Sequence, residues 1–431
     1  MIIEFHVSNY KSINNAVTLS MLASKLTGKE ATKENFFSPG CYKDCRILKT
    51  AVIYGANASG KSNLLQAIDL FRNLIINSTD LKFGEKLPHN PFKLSRSSAH
   101  KPTSLKMEFI AKDNVRYIYG FSFDKNHIIE EHLVSYTTRK ATEVFVRKIN
   151  EKIRFSSFLK GPKKALEEQL QNNHLFLTKA ANSNFEQLHV VYSYFTENLD
   201  MFFRGFSSTK GIGSTIFSKK KSFEDPTTKN FINEFLRAAD TGIESFEVTK
   251  RDISSIKYPE GLLVPDSLKE LIKEEFTYHT DVIHTSCDDI PELVKWELED
   301  ESNGTIKLFS LASPIIDILN KGGILIFDEI NNSLHTLISE FIIQLFNNPE
   351  TNPHNAQLIL TTHDASLLSK AIFRRDQIWF IEKDPCGMSQ LYSLCSFDKK
   401  EVRWDVPFDK WYLSGRFGAL PVVKDLKLKK K

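Results

Sequence analysis

A chain of 431 residues with 41% hydrophobic and 11% aromatic residues has enough apolar side chain for substantial cores, ordinarily in two or three domains, which excludes a disordered polypeptide. No apolar run approaches the ~18 residues of a membrane span, and Ile2, Ile3, Phe5 and Val7 open like a strand, not a signal-peptide core, so cytoplasm without membrane attachment is expected. Five lysines against one aspartate over 424–431 account for the net charge of +4; the rest of the chain balances, so global charge points to no nucleic-acid partner.

In chain order, alternation predicts strands over 2–7 and 17–22, then a loop over 23–46 rich in Lys, Glu, Gly and Pro. Residues 49–54 read as a buried strand. It runs into Gly55-Ala56-Asn57-Ala58-Ser59-Gly60-Lys61-Ser62, the spacing of a phosphate-binding P-loop, and Ser62 opens a helix with Leu64, Ile68, Phe71 and Ile75 on one face. Gly55 and Gly60 let successive N–H groups turn inward on a phosphate, and the helix N-terminus adds partial positive charge. Lys61 would reach the β- and γ-phosphates of a nucleotide and the Ser62 hydroxyl would ligate Mg²⁺. An accidental Gly/Ser-rich turn is the alternative, and the strand before and helix after weigh against it.

Strands over 105–111, 115–123 and 128–138, joined by short polar turns, read as an antiparallel meander, with 144–148 and 153–155 as candidate extensions. From about residue 160 the pattern becomes helical, over 165–171, 185–203 and 231–239, with a polar loop over 207–222, and implies a compact helical insert without a coiled-coil heptad. Lys160, Lys163 and Lys164, and the run Lys219 to Lys221, are candidate phosphate contacts or ordinary solvated surface. Beyond Trp296, Ile324-Leu325-Ile326-Phe327 is a continuous apolar run of the kind found in central parallel strands, and it ends in Asp328-Glu329. Carboxylates there lie in the crevice where α/β proteins bind ligands. Asp328 is placed to hold Mg²⁺ and Glu329 to polarise an attacking water. A helix near 337–345, a strand over 357–362 ending at His363, and a strand over 377–381 complete the pattern; His363 could bond a γ-phosphate oxygen or be structural. The five cysteines, at 41, 45, 287, 386 and 395, are odd in number and scattered, against a disulfide framework. Cys41 and Cys45 have no second close Cys/His pair with which to complete a zinc site.

Several segments together resemble ABC-type ATPases of the SMC and RecF group: the opening Phe5 to Ser12, the P-loop through Asn63, Glu301-Ser302-Asn303-Gly304-Thr305 as a signature, Asn332 to His335 as a D-loop, and Leu360 to His363 as a switch-histidine strand. With Arg374-Arg375-Asp376-Gln377 and Gly415 to Pro421, the chain resembles the AAA/ABC-like ATP-binding proteins of phage-defence and abortive-infection loci, the RloA/AbiL type. The resemblance covers about 1–140 and 295–423 and implies an α/β P-loop head with an antiparallel β subdomain, a mostly helical insert over 141–294 and a basic tail over 424–431. It implies ATP and Mg²⁺ as cofactors, contacts to nucleotide from Gly55, Asn57, Ser59, Gly60, Lys61, Ser62 and Asn63, and a site shared between subunits, with Ser302 and Gly304 of one chain capping the γ-phosphate held by another. A homo-oligomer, at least a dimer, and a separately encoded toxin or nuclease effector follow, because the residues after His363 are too few for the TOPRIM nuclease domain of some relatives. Taken without the resemblance, Ser302 and Gly304 would read first as an ordinary helix cap. No Q-loop glutamine is identified before Leu105. The alternative function is RecF-like DNA repair or recombination, in which nucleic acid would be the partner.

Overall fold

The computed structural model describes residues 1–25, 34–40, 42, 45–138, 140–183, 185–202, 209–252, 266–332, 334–398, 402 and 406–421. Among them a six-stranded sheet forms the centre, in the order Leu199–Phe202, Ile324–Phe327, Gln357–Thr362, Thr50–Tyr54, Ile378–Lys383, Ser389–Ser393. The first five strands run parallel and the last pairs antiparallel. Side chains alternate between its faces, as the pleat requires. Ala51, Ile53, Ile324, Ile326 and Ile359 enter one core, and Val52, Tyr54, Leu325, Phe327 and Leu360 the other.

The first core lies between this sheet and a seven-stranded antiparallel sheet that contains Ile2–Ser8 and the meander Thr103–Ile110, Arg116–Phe123, Ile128–Tyr136 and Thr142–Lys148. Helix Lys61–Asn77 fills it with the predicted stripe of Leu64, Ile68, Phe71 and Ile75. Phe71 stacks on Phe121 at 5.1 Å and meets Phe195 edge-on at 5.5 Å. Gln357 ties the two sheets, accepting from Ile2 N at 2.6 Å and donating to Leu48 O at 3.1 Å. Helices Asn303–Lys321, Thr336–Asn347 and Pro226–Ala238 cover the opposite face.

Within 141–294 helices predominate, and their buried residues divide between the two cores, Phe176, Leu188 and Phe195 in the first and Ile232, Phe235 and Leu236 in the second. The helix expected over 185–203 ends at Glu197, and Leu199–Phe202 pairs in parallel with Ile324–Phe327 as an edge of the central sheet. The apolar run that read as helix is thus strand, because an open sheet edge gives its backbone hydrogen-bond partners. The expected polar loop over 207–222 is largely helix Thr209–Glu224. A small antiparallel sheet, Ser245–Lys250, Tyr278–Thr285 and Leu293–Glu297, precedes the signature. None of the helices among the described residues is long and apolar enough to cross a membrane.

Candidate functional site

Three neighbouring parallel strands end at one edge of the central sheet. Thr50–Tyr54 leads into the P-loop, Gln357–Thr362 into His363, and Ile324–Phe327 into Asp328 and Glu329. The strand order alone brings these segments together, since Gln357–Thr362 lies between the other two.

The P-loop backbone is sharply turned, with Ala58 at φ 64° and Gly60 at φ 116°. A Cβ on Gly60 would come within 2.2 Å of Ser389 Oγ, and one on Gly55 within 2.4 Å of Ile381 O, so only glycine fits either place. Lys61 is buried and its ammonium donates to Gly55 O at 2.6 Å and Ala56 O at 3.1 Å, which folds it across the loop. The helix that Lys61 begins has no acidic residue in its first turn, leaving its positive dipole end to an anion. Ser59 Oγ is buried with no hydrogen-bond partner among the described residues, whereas Asn57 and Ala58 are exposed at the tip. An orphan hydroxyl, inward-turned amides and a lysine on one loop fit a phosphate group.

Two residues brace this loop from distant segments. Ser389 Oγ donates to Ser59 O and is hydrogen-bonded to Ser12 Oγ, both at 2.7 Å, and Asn63 Nδ2 donates to Ser12 Oγ at 2.6 Å. Ser389 carries no sequence signal, because a lone serine in a strand has no spacing to identify it. Ser12 was legible only as the end of the opening motif.

Asp328 and Glu329 are buried, at 3% and 4% exposure. Thr361 on the adjacent strand fixes both, donating from Oγ1 to Asp328 Oδ1 at 2.6 Å and accepting from Glu329 N at 2.8 Å. Glu329 has a left-handed backbone, φ 56°, uncommon for a residue with a side chain and typical of functional turns. His363 is exposed and takes a hydrogen bond from Asn331 Nδ2, 2.9 Å from its Nε2, while Asn331 Oδ1 accepts from Thr362 Oγ1 at 2.9 Å. Thr361 is marked in the sequence only as part of the Leu360 to His363 segment and Asn331 not at all, since their roles depend on strand adjacency.

Ser302 and Gly304 belong to a different element, the start of helix Asn303–Lys321. Ser302 is exposed and caps helix Asn303–Lys321, accepting from Thr305 N at 3.2 Å. Lys307, one turn on, is buried, lies 5.4 Å from the Phe327 ring and donates to Asn332 O, linking the signature helix to the segment after Asp328. Burial pushes its ammonium down to about 8. Ser333 of the D-loop segment lies outside the described residues; His335 caps the next helix, its Nδ1 accepting from Leu337 N at 3.2 Å.

Of the two lysine clusters, the run Lys219 to Lys221 is taken up in ion pairs. Lys219 is buried between Glu275 and Glu299, each at 2.8 Å, while Lys220 pairs with Glu274 at 3.1 Å and Lys221 with Asp317 at 3.3 Å. Their charge is spent inside the chain, so this run is not a phosphate-binding patch. Lys163 donates to Ser156 O at 3.4 Å, and Lys160 and Lys164 are exposed. Arg374 and Asp376 form a buried pair at 2.7 Å that also holds Ser24, and Gln377 bonds Thr50 O at 3.1 Å; both are structural ties behind the sheet. Cys41 and the basic tail lie outside the described residues.

A protein-family model described as "AAA domain, putative AbiEii toxin, Type IV TA system" matches residues 51–369. Solved structures that align over 91% of this chain include the SMC head domain from Thermotoga maritima, 11% identical over 98% of that chain with a TM-score of 0.40. Others are the SMC head from Pyrococcus furiosus with an extended coiled coil bound to the C-terminal domain of ScpA, 14% identical over 96% of that chain at 0.40, and the recombination mediator RecF with ATP, 15% identical over 97% of that chain at 0.37. No curated protein matches the sequence. The expected α/β class with an antiparallel subdomain is the fold observed, and the matching AAA-domain model takes in the P-loop, Asp328-Glu329 and His363.

Proposed function

From the premise that this chain belongs to the AAA-domain family associated with the AbiEii toxin and type IV toxin–antitoxin systems, we propose that it binds and hydrolyses ATP with Mg²⁺ and that ATP joins two copies of it. The carrying observation is the shared edge of three parallel strands, where the P-loop, His363 and the Thr361-braced Asp328-Glu329 converge. Gly55, Asn57, Ser59, Gly60, Lys61, Ser62 and Asn63 form the phosphate cradle. Ser62 and Asp328 would hold Mg²⁺, which when bound neutralises phosphate charge. Glu329, its backbone fixed by Thr361, orients the attacking water, and Asn331 holds the His363 ring toward the same edge. The exposed Ser302 cap and Gly304 supply N–H donors at a helix start, on a different element from the P-loop, and in this reading they serve the nucleotide of a second copy.

In the cell this joint would act in antiphage defence of the abortive-infection kind, gating a separately encoded toxin or nuclease. The RecF-like reading, with DNA as partner, loses one candidate basic run to the pairs of Lys219, Lys220 and Lys221 within the chain. The test is Glu329→Gln. Turnover should fall at least ~100-fold, the low end of what a positioned base contributes, while ATP shifts the mass of the variant from monomer to dimer. Parental turnover would remove Glu329 from the role, and a mass indifferent to ATP would remove the shared site.

A further inference from the structure

The small sheet before the signature ends in an edge strand, Leu293–Glu297, every residue of which is exposed. The turn leading into it, closed by Ser286 N to Glu292 O at 2.8 Å, carries Ile290 at 79% and is followed by Leu293 at 68% exposure. Around them Asp288, Asp289 and Glu292 are exposed, and none has an ion-pair partner among the described residues. This hairpin is fastened to the signature. Glu301 Oε1 accepts from His284 Nε2 at 2.7 Å and from Trp296 Nε1 at 2.9 Å, and the two rings stack at 4.1 Å. Ser302 follows directly, so hairpin and signature move together.

Beside the P-loop lies a surface of opposite charge. A groove of about 390 Å³ is lined by Lys11, Ser12, Asn90, Lys93, Leu94 and Lys383. Ser12 is the residue to which Asn63 and Ser389 bond, so groove and P-loop share a wall. No carboxylate pairs with Lys11, Lys93 or Lys383 among the described residues; the Lys11 ammonium donates to the neutral Gln66 Oε1. Leu94, 74% exposed, gives the rim an apolar point.

We propose that this groove receives the 286–292 hairpin of a second copy of the chain, with Asp288, Asp289 and Glu292 against Lys11, Lys93 and Lys383 and Ile290 against Leu94. The inference rests on the shared-site reading and adds what sets its register. Opposite charge flanks the two half-sites that must meet, and like charge would oppose any pairing of groove with groove or hairpin with hairpin. An exposed sheet edge with apolar side chains is also a surface that needs a cover in the assembled state.

The test uses the Glu329→Gln chain with ATP, in two further variants: Lys93→Glu/Lys383→Glu in the groove and Asp288→Lys/Asp289→Lys in the hairpin. Each alone should pair at least ~10-fold more weakly than its parent, as juxtaposed like charges require, with ATP affinity unchanged. An equimolar mixture should restore pairing, because the reversed groove of one chain then meets the reversed hairpin of the other, and the native surfaces meet at the second site. Rising salt should weaken parental pairing. If both variants pair as the parent does, or if the groove variant loses ATP affinity and mixing restores nothing, the docking proposal is overturned while the shared site stands. If the parent itself does not pair with ATP, the shared-site reading falls and this inference with it.

Discussion

Lys61 shows how a single side chain is prepared for its task. Its ammonium lies across the P-loop on two carbonyl oxygens, within the loop it would serve, so meeting a phosphate requires exchanging neutral acceptors for charged ones. Replacing it by alanine removes charge-assisted hydrogen bonds of about 1.5–3 kcal/mol each. Lys61→Ala should therefore weaken nucleotide binding by at least ~100-fold, measured by titration with a fluorescent ATP analogue, and unchanged affinity would show that the loop is not the phosphate cradle. The glycines are equally constrained, since the space a Cβ would need at Gly60 is filled by Ser389. Such residues were legible at once, because a phosphate cradle demands a fixed local spacing. Thr361, Asn331 and Ser389 were not, because each acts across a gap in sequence that only strand pairing closes.

Among the elements, the antiparallel pair Ile378–Lys383 and Ser389–Ser393 has a part beyond completing the sheet. It carries Ser389 under the P-loop, where one hydroxyl meets both Ser59 O and Ser12 Oγ. Each of these bonds contributes about 0.5–1.5 kcal/mol. Ser389→Ala should then lower nucleotide affinity roughly 5- to 10-fold while the thermal midpoint moves little, and a variant with parental affinity would mean the loop needs no brace. The helix Asn303–Lys321 is the second such element. It puts Ser302 at one end and the start of the Asp328 strand beyond the other, and Lys307 joins its first turns to Asn332.

For the whole molecule, the proposal puts cradle and lid on different elements of one chain, the P-loop and the start of helix Asn303–Lys321. Ser302→Arg puts a bulky cation where the lid must approach a partner. ATP turnover and ATP-dependent dimerisation should be lost, with binding to the monomer retained; persistent turnover would mean that a single chain completes its own site. The amino-acid sequence by itself determined the P-loop, the acidic pair after a buried strand, the meander and the helix stripe at Leu64, Ile68, Phe71 and Ile75, because each is written in local spacing and periodicity. Only the tertiary structure decided that Leu199–Phe202 is a sheet edge, that Lys219 to Lys221 are paired within the chain, and that Thr361 holds Asp328 and Glu329 together. Those outcomes depend on which segments become neighbours when the two cores close, and no local pattern records that.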